Sequence, residues 1–169
     1  MAAWSEIAQF EPELMAAGER LLAAGEGTAF LATVRADGGP RMHPVVPVLA
    51  AGRLYVFVVN LSPKHADLLR DGRYALHALP PPGGGEEFYI TGRSRHHIDA
   101  DLRRQVSAAS GNRLGTQDFE ELFELNISRV LHTRWSGWGT RDIWPHYTRW
   151  PARKQQATSN REPGTKNVP

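Results

Sequence analysis

The chain has 169 residues, 41% of them hydrophobic and 22% charged, which suits one domain with a substantial core. It contains no cysteine, which excludes disulfides, thiolate metal sites and cysteine nucleophiles, and no apolar run approaches the roughly 20 residues of a membrane-crossing helix. The net charge of +2 hides an asymmetry, because residues 1–128 hold 12 Lys/Arg against 16 Asp/Glu while residues 129–169 hold 8 against 2.

The first expected element is a helix from Pro12 to about Ala24, with Leu14, Met15, Leu21 and Leu22 near helical spacing and Gly25 and Gly27 as stops. Thr28–Arg35 reads as a strand, and Asp37-Gly38-Gly39 as a tight turn into a second strand over Arg41–Leu49. Ala50-Ala51-Gly52-Arg53 turns the chain into a third strand, Leu54–Val59. A short helix from Pro63 to about Asp71 ends at Gly72, and Arg73–Leu79 forms a fourth strand. Pro80–Gly85 is an irregular loop, and Glu87 to about Ile98 a fifth strand in which Gly92 marks a bulge or bend.

Asp99 caps a helix reaching about Ala109, and a second short helix is expected over Asp118–Glu124. The last strand, Leu125–Trp135, sets Leu125, Ile127, Leu131 and Trp135 on one face and Asn126, Ser128, His132 and Arg134 on the other. Arg129 is the exception on the apolar face. Residues 154–169 carry no apolar pattern and are expected to be disordered. Six strands, a few short helices and sharp turns argue for a small, mainly β, antiparallel barrel.

One junction carries the chemistry. The run Tyr55–Val59 reads as a strand, and Ser62 suits the N-cap of the helix that follows, with Pro63 at its first position. Lys64 then stands in the first turn, where the helix dipole disfavours a cation. It is either a solvated surface lysine or part of an anion site, in which amides, a hydroxyl and an ammonium converge on a phosphate.

Other constellations are weaker. His96 and His97 point to opposite faces of a strand, no His pair has metalloprotease spacing, and no nucleophile elbow is present, so neither a metal nor a serine triad is expected. Glu86-Glu87 and Glu120-Glu121 read as solvated edges. Gly83-Gly84-Gly85 precedes a strand rather than a helix, so it is a linker and not a phosphate loop. Trp135, Trp138, Trp144 and Trp150 read as a hydrophobic latch or as a wall for a planar ligand. The basic C-terminal segment lacks a helical stripe or nucleic-acid motif, so no nucleic-acid partner is expected. The N-terminus lacks the blocks of a signal peptide, and a cytoplasmic protein without membrane contact is the expectation.

Three segments together resemble the pyridoxamine 5′-phosphate oxidase-like family of FMN-binding split barrels: Phe30–Val45, Leu54–Asn60 with Ser62, Lys64 and Leu68, and Asp71–Leu76. The resemblance implies a six-stranded split β-barrel of Greek-key type over residues 1–153, with an N-terminal helix, acting as a homodimer with flavin at the interface. It implies that Met42, His43, Pro44 and Val45 run along the isoalloxazine of FMN, that Val58 and Val59 flank its ribityl chain, and that Ser62 and Lys64 hold its phosphate, with Arg41 the further cation of the cofactor site. The activity implied is oxidoreduction of a small organic substrate.

The chain departs from the true oxidases. The Arg-Leu-His-Arg pattern near their C-terminus has no match in Trp135–Arg141, His43 stands where arginine is expected, and Val48 where lysine is expected. Pyridoxamine phosphate is therefore not the expected substrate. Related split barrels use an 8-hydroxy-5-deazaflavin cofactor with an acidic tail, which Arg141, Arg149, Arg153 and Lys154 would suit. A non-catalytic flavin- or heme-binding protein is the further alternative.

Overall fold

The structure is a computed structural model that describes residues 1–78 and 83–152. Two helices, α1 (Trp4–Ala8) and α2 (Pro12–Leu22), precede strands β1 (Ala29–Val34), β2 (Pro40–Val45), β3 (Pro47–Ala50) and β4 (Arg53–Val59). Helix α3 (Pro63–Arg70) leads to β5 (Arg73–Ala78) and β6 (Glu86–His97). Helix α4 (Ala100–Ala109) leads to the long β7 (Glu120–Ser136) and to β8 (Trp144–Trp150). The strands are antiparallel and bond in the order β2-β1-β5-β6-β7-β4-β3, with β8 added to β7.

The two ends of that path, β2 and β3, are consecutive in the chain with only Val46 between them. A single bent segment thus serves both edges of the sheet, which is how a split barrel closes. The continuous strand expected over Arg41–Leu49 is accordingly two strands. The turn after it is as expected, with Ala51 and Gly52 both at positive φ, 48° and 71°, as a two-residue hairpin between right-twisted strands requires.

Leu31, Val56, Leu76, Phe88, Ile90, Phe123 and Leu125 fill the barrel, and Trp4, Ile7, Leu14 and Met15 from α1 and α2 pack onto that core. Gly18 lets α2 approach: a Cβ there would collide with the Phe88 ring. A second cluster, Val48, Ala50, Tyr55, Val106 and Leu122, lies where α4 meets β3.

The helix expected over Asp118–Glu124 is instead the start of β7. This half of β7 pairs with both β4 and β6 and contributes Phe123 to one core and Leu122 to the other. Burial on both faces erases the alternation that signals a strand. Helix α1 and strand β8 have no counterpart among the expected elements; α1 spans five residues, and β8 is exposed along most of its length and contains Pro145. Among the described residues the sheet thus has eight strands rather than six.

The bulge expected at Gly92 is present, as a register shift between Thr91 and Gly92 that leaves Ser128 of β7 unpaired. One extra residue reverses the phase of β7, so Val130 and His132 are buried while Leu131 turns outward with Arg129. This corrects the faces expected beyond Ser128. A Cβ on Gly92 would enter the van der Waals shell of the Asn126 carbonyl and stand 3.1 Å from the Tyr74 ring. Gly92→Ala is therefore expected to cost ~2 kcal/mol through overpacking, read as a lowered denaturant midpoint. An unchanged midpoint would mean that the bulge relaxes without cost.

The latch reading of the tryptophans holds for Trp150, which packs against the core. Trp135 and Trp138 meet edge-on at 5.9 Å with Trp138 over Gly84, but Trp138 and Trp144 are exposed. Residues 79–82 of the proline loop and the expected tail, 154–169, lie outside the described residues.

Candidate functional site

Helix α3 begins as its sequence suggests, with Ser62 in extended geometry and Pro63 at the first position. The Ser62 side chain does not cap it, however; its hydroxyl donates to the Val59 carbonyl at 2.6 Å. Pro63 has no N–H, the Ser62 N–H bonds Val59, and the His65 N–H bonds the Ser62 carbonyl, which leaves the Lys64 amide as the first-turn donor without a partner among the described residues. The amide array expected here is thus a single N–H beside the Lys64 ammonium.

Asp67, one turn further, ties α3 to the first hairpin. It is 3% exposed and accepts from Thr33 Oγ1 of β1 at 2.9 Å, from Arg41 Nε of β2 at 2.8 Å and from Arg70 at 3.3 Å. Burial pushes its carboxyl up, but the hydrogen bonds from Arg41, Thr33 and Arg70 and the charge of Arg41 outweigh this and hold it below the usual carboxylate range. Arg70 also donates to the Val34 carbonyl. The bond through Nε fixes the Arg41 guanidinium while its terminal nitrogens have no partner among the described residues.

His43 is two residues from Arg41 and so on the same face of β2. Its Nε2 is buried without a hydrogen-bond partner. Burial holds its pKa below the ordinary 6.5, and the charges of Lys64 and Arg41 lower it further. Burial also lowers the Lys64 ammonium, and no carboxylate pairs with it among the described residues. Three basic groups therefore converge at one end of the barrel, and the one carboxylate among them is occupied.

The remaining expected residues divide by strand alternation. Met42, at 66% exposed, and Pro44 stand on the outward face with Phe30. Val45 and Val58 pack in the core, so they can offer a ligand only main-chain groups, while Val59 is on the surface. Because β2 pairs with β1 alone, its other edge retains unpaired backbone groups. Val48, at the position where lysine is expected, is buried in the second cluster and supplies no cation.

A second polar cluster was not legible in the sequence. Glu121 Oε2 is hydrogen-bonded to His65 Nε2 at 2.6 Å and lies 2.9 Å from His96 Nε2, with both rings packed on Phe123. The His65 bond holds the Glu121 carboxyl below its ordinary value. Glu124 likewise holds Arg53 and, at 2.8 Å, His97. His96 and His97 do diverge as expected, but Glu121 is a clamp between α3 and β6, not a solvated edge. Finding it would have required the pairing of β7 with β6 in advance.

His132 is also buried, 3.6 Å from Glu86 and beyond hydrogen-bond reach, and burial holds its pKa below 6.5. His43 and His132 thus stay neutral in the fold at a pH where the unfolded chain takes up protons. The stability they confer is complete above pH 6.5 and is lost as the pH falls from there toward their lowered values. Melting temperature is therefore expected to be level at neutral and alkaline pH and to decline on acidification through this window, less steeply in the double variant His43→Gln/His132→Gln. An equal decline in the variant would contradict the assignment.

The antiparallel sheet, with its two edges on the bent β2–β3 segment, has the architecture of a split barrel, and the basic cluster lies beside its strand–helix junction. The family model described as pyridoxamine 5′-phosphate oxidase matches residues 18–156, and the chain belongs to that family. No curated protein matches the chain. Among solved structures, a heme binding protein from Mycobacterium smegmatis is 18% identical with a TM-score of 0.56, over 72% of this chain and 52% of that one. This chain therefore spans about half the length of that protein. PhzG from Burkholderia lata 383, in complex with tetrahydrophenazine-1-carboxylic acid, is 13% identical with a TM-score of 0.58, over 84% and 87%. HutZ, the heme storage protein from Vibrio cholerae, is 20% identical with a TM-score of 0.54, over 76% and 92%. At such identities the likeness is one of fold.

Proposed function

We propose that the protein is a homodimeric, flavin-dependent oxidoreductase that grips FMN phosphate with Arg41, His43 and Lys64. One observation carries this reading: of these groups only Arg41 has a carboxylate partner among the described residues, Asp67, which Arg70 and Thr33 also hold, while His43 Nε2 is buried and unpartnered. A phosphate would satisfy that nitrogen, offset the desolvation of Lys64 and engage the free nitrogens of Arg41, so the residues fit the group. Bound flavin supplies hydride or electron transfer to or from a small organic substrate.

The protein's part is orientation and exclusion of water. Asp67 holds Arg41 in place, and Ser62 can turn its hydroxyl from Val59 to the phosphate. Met42, Pro44 and the free edge of β2 would wall the flavin ring, and Val59, exposed at the end of β4, would flank the ribityl chain. The core packing of Val45 and Val58 keeps the backbone behind them rigid. Met42, Pro44 and Phe30 form an outward apolar patch that suits a second copy of the chain.

Heme binding is the second reading, favoured by the neutral, unpartnered His43 Nε2, which suits an iron ligand. The deazaflavin alternative draws on exposed Arg141 and Arg149; Arg153 and Lys154 lie outside the described residues. Titration with FMN against riboflavin tests the phosphate grip. FMN is expected to bind at least about tenfold more tightly, because charge-assisted bonds to the phosphate are each worth ~1.5–3 kcal/mol. Equal affinities would contradict it.

A further inference from the structure

A cavity of about 490 Å³ opens between β6, β7 and β8, where Pro151 and Ala152 follow the last strand. Antiparallel register puts Tyr89, Leu131 and Arg149 in one row across these three strands, and Arg129 lies beside it opposite Thr91. Val130 and Trp150 complete an apolar and aromatic lining. The outward placement of Arg129 and Leu131 follows from the Ser128 bulge; without it their side chains would face the core.

The charge is one-sided. Arg129 and Arg149 both line the cavity, no acidic residue does, and neither guanidinium has a carboxylate within 4.0 Å among the described residues. Arg149 stacks 4.5 Å from the centre of the Tyr147 ring, two residues back on β8. Two like charges around an aromatic hollow repel each other unless an anion joins them, and a flat ring would cover the apolar lining. None of these residues belongs to the Arg41–His43–Lys64 cluster.

We propose that this cavity is a second ligand site, taking a planar aromatic carboxylate whose ring lies against Tyr89 and Trp150 and whose carboxylate is held by Arg129 and Arg149. Its row of side chains continues through His77 and Phe30 to Pro44, so the site shares its face of the sheet with the wall proposed for the flavin ring. Its size falls within the usual range for small-molecule sites, and the guanidinium fork matches carboxylate geometry.

Calorimetric titration of the full chain with 1-naphthoate, and with the neutral 1-naphthamide, tests the proposal. Naphthoate is expected to bind, with naphthamide at least about tenfold weaker. Arg129→Gln and Arg149→Gln are each expected to weaken naphthoate by about tenfold, with little change in melting temperature because both side chains are exposed and neither has a carboxylate partner among the described residues. Absence of binding, equal affinity for the acid and the amide, or full affinity in both variants would overturn it. Naphthoate binding that is lost in Lys64→Ala would place the anion in the other cluster and overturn it equally.

Discussion

Asp67→Ala is expected to lower the stability of the fold by about 3 kcal/mol, or roughly 6–12 °C in melting temperature for a domain of this size. The substitution leaves Thr33, Arg41 and Arg70 without their common acceptor and places an uncompensated Arg41 beside His43 and Lys64. The low end of the range for a broken buried pair applies, since Arg41 and Arg70 are themselves 32% and 40% exposed and water can reach them. Asp67→Asn keeps the shape and one acceptor, so it is expected to fall between the wild type and alanine. Differential scanning calorimetry reads both; an alanine variant as stable as the wild type would mean that α3 is held by Leu68 and the His65–Glu121 clamp alone.

The second large effect concerns ligand affinity and not stability. Lys64→Ala is expected to weaken FMN by about 10- to 100-fold, the value of one charge-assisted contact to a phosphate. The flavin-free variant is expected to melt no lower than the wild type, because Lys64 has no ion-pair partner among the described residues and its burial disfavours the charged form. This separates the two residues: Asp67 supports the site through the fold, whereas Lys64 serves the ligand. Fluorescence titration with FMN checks it, and unchanged affinity in Lys64→Ala would remove the phosphate site.

What could be read from the residues was what local chemistry dictates. The Ala51-Gly52 turn, Pro63 at the start of α3, the Asp99 cap, which accepts from the Asp101 and Leu102 amides, and the Gly92 bulge each follow from one or two residues. The gathering of Arg41 and Lys64 was legible only through the resemblance, since β2 and α3 are joined in space by Asp67, which no spacing singles out. The phase reversal after Ser128 and the Glu121 clamp were hidden for one reason: both depend on how β7 pairs with β6, a long-range choice that neither strand carries alone. The Ser62 hydroxyl shows the converse, a residue with the right chemistry for a cap that bonds the preceding strand instead.

The measurement that bears most directly on the central claim is the visible absorption spectrum of the purified protein, before and after addition of FMN and removal of the excess. The flavin bands are expected, retained as purified or acquired on addition, with the shifts that accompany binding. A Soret band in their place would assign the His43 end of the barrel to heme, and a colourless protein that retains no FMN would contradict the flavin site altogether.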